Sequence, residues 1–410
     1  MLGKLAIQGG RPVRTKPFPT WPYASELGRK YITKVVRSNG WGIFRGSRIA
    51  EFGQKFAEYH GAKYGVPCAN ATIALEVQLK SLSIGDGDEV ITTVYSCIST
   101  ITSIMAVGAI PVFVDVDERG CIDPNLVEEK ITKRTKAIMP VHLYDSLCDL
   151  DALSKLARKH KIYLVEDSAQ MPGAFWRGRG VGTVGISGSF SFQEAKVMTA
   201  GEGGMILTNS REIAEVARSY INCGRVPTGS RTRRLVLGGN GRMTEFQAAL
   251  LLAQLKDLRK NTLLRMRNAR RLTNAIKDLP GIKAYLPPAH ATKQAYYFYT
   301  FRLIEKEAGI SRDVFIKALN AEGVPTRNTF VPLYRDPLFH LNRFDAPAAY
   351  DYFKAHKPLH KNFPVAERLS GEIVALWHPL LAGSSSDIDD IVQAIKKVLA
   401  HAESLNRAKV

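Results

Sequence analysis

The sequence predicts an α/β protein built on a mostly parallel sheet of seven strands with helices on both faces. Seven short β-prone runs recur between residues 64 and 208, and helical patterns separate most of them. Such alternation is typical of parallel strands joined by crossover helices. The length of 410 residues is enough for a large core and for two domains.

The strands and helices of this sheet can be assigned in chain order. The β-prone runs are Tyr64–Cys68, Glu89–Thr92, Ile110–Val116, Ala137–His142, Tyr163–Glu166, Ser189–Phe192 and Met205–Thr208. The helical patterns between them are Ala71–Leu82, Ile98–Val107, Pro124–Ile131 and Asp151–His160. Because ligands of such sheets bind beyond the carboxyl ends of the strands, we expect the functional residues there.

The rest of the chain predicts a division into four parts. Residues 1–25 are rich in glycine and proline and form an N-terminal arm, and residues 26–255 form the large α/β domain. A strongly basic helical pattern runs from Met243 to Ile276, and we assign 256–276 to a connecting helix. Residues 277–410 mix β-prone and helical patterns, which indicates a smaller C-terminal α+β domain that closes over the cleft.

Composition excludes several classes of protein. Hydrophobic content of 45% and charged content of 23% are ordinary for a globular chain. We find no apolar run long enough to span a bilayer and no signal-peptide core at the N-terminus, so we expect no membrane partner. The five cysteines are odd in number and scattered, which favours a reducing cytoplasm and argues against a disulfide framework or a metal site.

The formal net charge of +19 is the unusual total. A basic protein can bind nucleic acid or handle anions. The charges are dispersed, and no zinc finger, basic zipper or RNA-binding signature accompanies them. We therefore do not expect nucleic-acid binding, and we attribute the charge to solubility, a phosphorylated ligand or the composition of the host.

One lysine stands out from the surface lysines by its setting. Lys196 follows the run Ser189–Phe192 and precedes the glycine-rich turn at 201–204. Its neighbours Phe192, Val197 and Met198 are apolar. Burial would favour the neutral amine, which a Schiff-base nucleophile requires, although a single lysine is more often a solvated surface charge.

Polar residues at other strand ends leave two interpretations open. Asp167 ends the run YLVE, where it is either a helix N-cap or a carboxylate that holds a cationic ring nitrogen. Asn70-Ala71-Thr72 lies between a strand and a helix, and it serves either as a plain cap or as a phosphate site. His142 also ends a strand, and we assign it no chemistry.

Six segments form a recognisable series: NATIAL at 70–75, GAIPVFVDVD at 108–117, KAIMPVHLY at 136–144, VEDSAQ at 165–170, SFSFQEAKVMTAGEGG at 189–204 and GGNGRMTEFQAALLLAQL at 238–255. In this order and spacing they resemble the DegT/DnrJ/EryC1/StrS family of sugar aminotransferases, which are fold-type I pyridoxal phosphate enzymes, and the resemblance covers essentially the whole chain. The segments PFPTWP at 17–22, SFQ at 191–193 and LWHPLLAG at 376–383 are most similar to the aminocyclitol branch (glutamine:scyllo-inosose aminotransferases), and the aminohydroxybenzoate synthases are nearly as similar.

The resemblance implies a fold, a cofactor and two catalytic residues. It implies that Lys196 binds pyridoxal phosphate covalently and moves a proton between two substrate carbons. It implies that Asp167 pairs with the pyridinium nitrogen and keeps it protonated. The reaction expected is transfer of an amino group from glutamine or glutamate to a keto-sugar or keto-cyclitol.

The resemblance also implies the residues that hold the cofactor. Gln170 would lie near the phenolic oxygen of the ring, and Ala71, Thr72 and Ser191 would hold the phosphate. Asn240 matches a position that reaches the same phosphate across a dimer interface, which implies a homodimer with shared active sites.

Cys97 departs from the family pattern. It occupies the place where relatives usually have an aromatic residue stacked on the cofactor, and Tyr95, two residues earlier, is expected to face the other way. Two alternative functions also stay open. One is a pyridoxal phosphate dehydratase or lyase of the aminohydroxybenzoate type, and the other is a catalytically weak regulatory homologue that binds the cofactor.

Overall fold

The computed structural model describes residues 3–228, 231–337, 343, 345–356 and 362–407, and its centre is a seven-stranded sheet. The first nine strands of the chain are β1 Tyr64–Cys68, β2 Glu89–Thr93, β3 Ile110–Val114, β4 Thr135–Met139, β5 Tyr163–Asp167, β6 Phe175–Trp176, β7 Arg179–Gly180, β8 Ser187–Ser191 and β9 Gly204–Thr208. All of these except β6 and β7 join the central sheet in the order β1-β9-β8-β5-β4-β2-β3.

The mostly parallel character of this sheet is confirmed. The pairs β2–β3, β2–β4, β4–β5 and β5–β8 are parallel. Strand β9 is antiparallel to both of its neighbours, β1 and β8. Every residue of β2, β3, β8 and β9 is buried, which agrees with a sheet covered on both faces.

Helices occupy most of the positions where the sequence predicts them. Their bounds are α1 Glu26–Ser38, α2 Arg48–His60, α3 Ala71–Ser81, α4 Ile98–Ala106, α5 Leu150–His160, α6 Arg211–Tyr220, α7 Glu245–Ile276, α8 Glu305–Ala308, α9 Arg312–Ala321, α10 Pro347–Ala355, α11 Pro364–Glu372, α12 Ser385–Ala400 and α13 Ala402–Arg407. The helix expected over Pro124–Ile131 is instead two 3₁₀ turns, Pro124–Leu126 and Glu128–Lys130. Tight turns of this kind are usual in short connectors.

A second, antiparallel sheet forms in the C-terminal third of the chain. The remaining strands are β10 Arg225–Thr228, β11 Arg231–Arg234, β12 Ile282–Ala284, β13 Ala291–Lys293, β14 Phe298–Leu303, β15 Thr326–Arg327 and β16 Ile373–Trp377. Four of them form the order β12-β14-β16-β15, and helices α9 and α12 pack beside this sheet. The α+β character predicted for this part of the chain is therefore confirmed.

The N-terminal arm belongs to the core of this second sheet. Leu5 is fully buried there among residues of β14, α9 and α12. The carboxylate of Glu322 accepts hydrogen bonds from the N–H groups of Ala6 (2.8 Å) and Val13 (2.9 Å). Long-range packing thus fixes a segment that has little regular structure of its own.

Helix α7 connects the two cores as one unbroken helix of 32 residues. It begins with a capping box between Thr244 and Gln247, and it contacts α1 and α2 on one side and α12 on the other. The domain boundary predicted at residue 255 falls inside it, so the division into 26–255 and 256–276 remains a proposal about folding units.

Candidate active site

A cavity of about 650 Å³ lies between the central sheet and the second sheet. Its floor is made where the central strands end: Asn70 follows β1, Cys97 follows β2, Asp167 ends β5 and Ser191 ends β8. Its opposite wall comes from the second sheet and includes Phe298, Arg327 and Ala375. The cavity is thus at the sheet edge where ligands of α/β proteins bind.

The start of α3 shows Asn70 as the helix cap and leaves the N–H groups of the next two residues unused within the described ranges. The side chain of Asn70 accepts a hydrogen bond from the N–H of Ile73 at 2.9 Å, so Asn70 is the N-cap. Among the described residues, the N–H groups of Ala71 and Thr72 have no acceptor, and both residues line the cavity. Free N–H groups at the positive end of a helix suit an anion such as phosphate.

Asp167 is a buried carboxylate in the cavity, with only 3% of its surface exposed. The hydroxyl of Thr100 donates to Oδ2 at 3.0 Å, and the N–H of Ala169 donates to Oδ1 at 3.1 Å. Burial raises the pKa of Asp167, while these two hydrogen bonds and the nearby Lys196 lower it. A cation that entered the cavity beside this carboxylate would meet little competing solvent.

Gln170 lies one turn beyond Asp167 and is oriented by the backbone. Its Oε1 accepts a hydrogen bond from the N–H of Tyr144 at 2.6 Å. This contact leaves the amide NH₂ of Gln170 as the donor available on the cavity side. Gln170 is buried except for 4% of its surface.

Lys196 extends into the cavity from the loop after β8. Its Nζ lies 4.3 Å from the centroid of the Tyr297 ring. Burial lowers the pKa of the Lys196 amine, and the opposing effects of Cys97 and Asp167 raise it. The structure therefore places a partly desolvated amine above an aromatic ring and near a buried acid.

Three N–H donors from outside the central sheet hold the loop of Lys196. Trp377 Nε1 and His378 Nε2 both donate to the carbonyl of Ala195, at 3.0 and 3.2 Å. Trp21 Nε1 donates to the carbonyl of Glu194 at 3.0 Å. Burial lowers the pKa of His378 well below its usual value, so the ring is neutral and can hold its proton on Nε2.

Cys97 is exposed to the cavity, and Tyr95 is fully buried in the core. The hydroxyl of Tyr95 makes a 2.7 Å hydrogen bond with Thr329, which lines the cavity. Both residues follow the end of β2 at Thr93, and residues two apart on a strand share a face, so strand alternation does not support the opposite orientation expected for Tyr95 and Cys97. Cys97 is the N-cap of α4 but makes no side-chain capping hydrogen bond.

Seven of the eight predicted site residues line this one cavity. They are Ala71, Thr72, Cys97, Asp167, Gln170, Ser191 and Lys196. Asn240 does not line it and is solvent-exposed on the segment before α7. Tyr334, Arg335 and His378 also lie outside the lining.

Comparison with known proteins matches residues 23–396 to the model of the DegT/DnrJ/EryC1/StrS aminotransferase family. The chain belongs to this family. An L-glutamine:2-deoxy-scyllo-inosose aminotransferase of Streptoalloteichus tenebrarius is 39% identical over 421 residues, covering 97% of this chain and 98% of the relative.

Two further comparisons cover both partners almost completely. A Micromonospora echinospora protein is 39% identical over 417 residues, covers 100% of both chains, and is provisionally named L-glutamine:3-amino-2,3-dideoxy-scyllo-inosose aminotransferase. The solved structure of 3-amino-5-hydroxybenzoic acid synthase matches with a TM-score of 0.84 at 28% identity, covering 96% of this chain and 100% of that one. The chain is an aminotransferase with the fold predicted from its sequence.

The cavity of this aminotransferase also contains residues that the sequence pattern did not single out. Phe298 and Arg327 come from the second sheet and Tyr297 directly precedes its strand β14, more than a hundred residues beyond Lys196. The alternation of β14 and β16 could have shown which side chains share a face, but not which face meets the cavity.

Within the described ranges, no three or more histidine, cysteine, aspartate or glutamate side chains cluster as a metal site would require. No helix in the part of the chain that the structure describes is both long and apolar enough to cross a bilayer.

Proposed function

We propose that this aminotransferase uses pyridoxal phosphate to move the α-amino group of glutamine to a ketone on a cyclitol. One observation carries the proposal: a desolvated lysine, a buried carboxylate and a helix N-terminus with free N–H groups line a single cavity. The donor and the acceptor class follow the names of the relatives at 39% identity. Glutamate as donor and a keto-sugar as acceptor are the alternatives within the same reaction.

The residues of the cavity fit the cofactor group by group. Ala71, Thr72 and Ser191 would hold the phosphate, with N–H groups of α3 and two hydroxyls as donors. Asp167 would bind the ring nitrogen, and the free NH₂ of Gln170 would donate to the phenolic oxygen. Bound pyridoxal phosphate supplies an electron sink that stabilises negative charge on the substrate carbon.

Lys196 is proposed to carry the proton in both half-reactions. Its lowered pKa increases the neutral fraction of the amine near neutral pH, so the amine can accept a proton from the donor carbon. The ring of Tyr297 and the hydrogen-bonded loop keep the amine inside the cavity. The same amine then returns a proton to the acceptor carbon.

Nitrogen transfer provides the test. The holoenzyme is incubated with glutamine labelled with ¹⁵N at the α-amino group and with 2-deoxy-scyllo-inosose, and the product amine is analysed by mass spectrometry. We expect the label in the product with the wild-type enzyme and none with Lys196→Ala. Parallel reactions with amide-labelled glutamine and with α-labelled glutamate identify the donor, and an absence of labelled product from every donor refutes the assignment.

The similarity to 3-amino-5-hydroxybenzoic acid synthase supports a second candidate, a dehydratase that forms an aromatic product. Both reactions begin with an amine in the lysine position, so Lys196 does not distinguish them. Aromatisation creates a strong near-ultraviolet absorbance in the product, whereas transfer to a cyclitol does not. The product spectrum in the experiment above therefore separates the two, and any turnover excludes a purely regulatory homologue.

We also propose a homodimer in which Asn240 of one subunit completes the phosphate site of the other. Asn240 is exposed and lies outside the cavity of its own chain. Large apolar side chains near this segment are exposed, as expected of a surface covered by a second copy. They are Trp41 (53% exposed), Phe44 (71%), Leu235 (45%) and Leu237 (98%).

Hybrid dimers test this arrangement. Lys196→Ala and Asn240→Ala subunits with different affinity tags are produced together, and the doubly tagged dimer is purified. One of its two sites then combines an intact Lys196 with an intact Asn240, so we expect it to regain up to half of the wild-type activity. If the hybrid is no more active than the Asn240→Ala homodimer, the proposed exchange is wrong.

A cytoplasmic location completes the proposal. All five cysteines are free thiols in the structure, which suits a reducing compartment. Fractionation of the native host with an antibody against the protein measures this directly, and recovery in a secreted or membrane fraction contradicts it.

A further inference from the structure

Arg327 stands in the wall of the active-site cavity without a carboxylate partner. It is an exposed residue of β15, and within the described ranges no ion pair or hydrogen bond involves its guanidinium. Glu202 lines the same cavity, but no ion pair joins it to Arg327. Most arginines near the second sheet are paired instead, as Arg302 is with Glu118 and Glu372.

Aromatic rings orient this guanidinium toward the cavity. Its Cζ lies 5.9 Å from the ring centroid of Phe298 and 5.9 Å from that of Trp377. Arg327 pairs with Ala375 across the sheet, and Phe298 pairs with Trp377, so all four side chains share one face. The two rings lie beside the guanidinium without taking up its N–H groups, which stay available for a planar anion.

The segment that follows β15 is fixed to the large domain. Thr329 shares a 2.7 Å hydrogen bond with the hydroxyl of Tyr95, and the N–H of Phe330 donates to the hydroxyl of Tyr144 at 2.9 Å. These contacts hold Arg327 in register with the cavity floor. A cation held in place in this way needs little reorganisation to bind an anion.

From this geometry we propose that Arg327 binds the α-carboxylate of the amino-acid donor and so selects the donor. The inference rests on the proposed function. Three anionic groups could enter the cavity: the donor carboxylate, the cofactor phosphate and a phosphoryl group on the acceptor. The phosphate has its own donors at the start of α3, and a cyclitol ketone carries no anion, which leaves the carboxylate for Arg327.

Two unreactive glutamine analogues measure how much the carboxylate contributes to binding. Glutaramate is glutamine without its amino group, and butanamide lacks both the amino group and the carboxylate. The inhibition constant of each is measured against glutamine in the first half-reaction of the holoenzyme, for wild type, Arg327→Gln, Arg327→Lys and the control Arg267→Gln. The control removes an exposed positive charge from α7, away from the cavity.

Arg327→Gln should raise the inhibition constant of glutaramate about tenfold to a hundredfold, because glutaramate loses a charged hydrogen-bond partner. The inhibition constant of butanamide should stay within about twofold of the wild-type value, because butanamide has no carboxylate. Arg327→Lys should fall between, because the charge stays but the two-pronged contact is lost. The control should match wild type for both probes. Equal weakening of both probes, or no change in either, overturns the inference.

Two further measurements separate the possible sources of the anion. A raised KM for the cyclitol ketone with unchanged glutaramate binding would assign Arg327 to the acceptor, and a loss of bound cofactor on dialysis would assign it to the phosphate. Either result overturns the carboxylate assignment while the aminotransferase proposal stands. If the wild-type holoenzyme does not react with glutamine at all, the proposed function fails, and calorimetric binding of glutaramate to wild type and Arg327→Gln still decides the role of Arg327.

Discussion

Asp167→Asn should preserve or raise the stability of the cofactor-free protein but weaken its affinity for the cofactor. In the structure the carboxylate is 3% exposed, and burial raises its pKa, so the ionised group costs stability at neutral pH. Asparagine has nearly the same shape and keeps an oxygen for the N–H of Ala169, and the hydroxyl of Thr100 can turn to accept from the new NH₂. We therefore expect the cofactor-free variant to be at least as stable as the wild type.

Cofactor binding should weaken strongly in the same variant. Removing one partner of a buried charge pair costs about 3–5 kcal/mol, which corresponds to a loss in affinity of roughly 10²- to 10³-fold or more. The neutral amide can still hydrogen-bond to a pyridine nitrogen, so the lower end of this range is the better expectation.

Two assays measure the two directions. Thermal unfolding of the cofactor-free proteins at pH 7 gives the change in stability, and equilibrium dialysis against pyridoxal phosphate gives the change in the dissociation constant. Thr100→Val is the matched control, because it removes one hydrogen bond from Asp167 but keeps the charge. Binding of the cofactor by Asp167→Asn within about threefold of wild type would contradict the charge pairing, and destabilisation of the cofactor-free variant by several kcal/mol would contradict the cost of the buried charge.

Three further predictions concern stability. Asn70→Ala removes the cap of α3, so it should lower the free energy of unfolding by about 1 kcal/mol and weaken cofactor binding severalfold. Chemical denaturation measures the first effect and equilibrium dialysis the second, and unchanged values would contradict the assigned cap. Trp377→Phe removes one hydrogen-bond donor to the Lys196 loop, so it should lower the free energy of unfolding by about 1 kcal/mol and also lower kcat. The control Trp176→Phe removes an indole hydrogen bond elsewhere, so it should lower the free energy of unfolding by a similar amount without lowering kcat. Burial raises the pKa of Asp145 to about 6 from 3.8, so its protonated form stabilises the fold below pH 4 and this stabilisation is lost as the pH rises to 6. The free energy of unfolding of Asp145→Asn, measured by denaturation, should therefore rise relative to that of wild type by up to about 3 kcal/mol between pH 4 and pH 6. A difference that stays constant over this range would show that Asp145 is not the titrating group.

The sequence alone determined the central sheet and the residues at its carboxyl edge. Each strand of this sheet is a short run with local signals, and parallel strands bring their carboxyl ends to one edge whatever the details of packing. Seven of the eight predicted site residues lie there, because each is within a few residues of the end of a strand or the start of a helix. The resemblance to the aminotransferase family supplied their roles, which neither spacing nor composition contains.

Only the tertiary structure decided what faces this edge. Trp21, Tyr297, Arg327, Trp377 and His378 reach the lysine loop or the cavity from distant parts of the chain. Their placement depends on how the second sheet packs against the first, and no local pattern records that packing. The free N–H groups at α3 needed coordinates for the same reason, since the sequence allowed both a cap and an anion site, and the geometry shows that one cap leaves two donors unused.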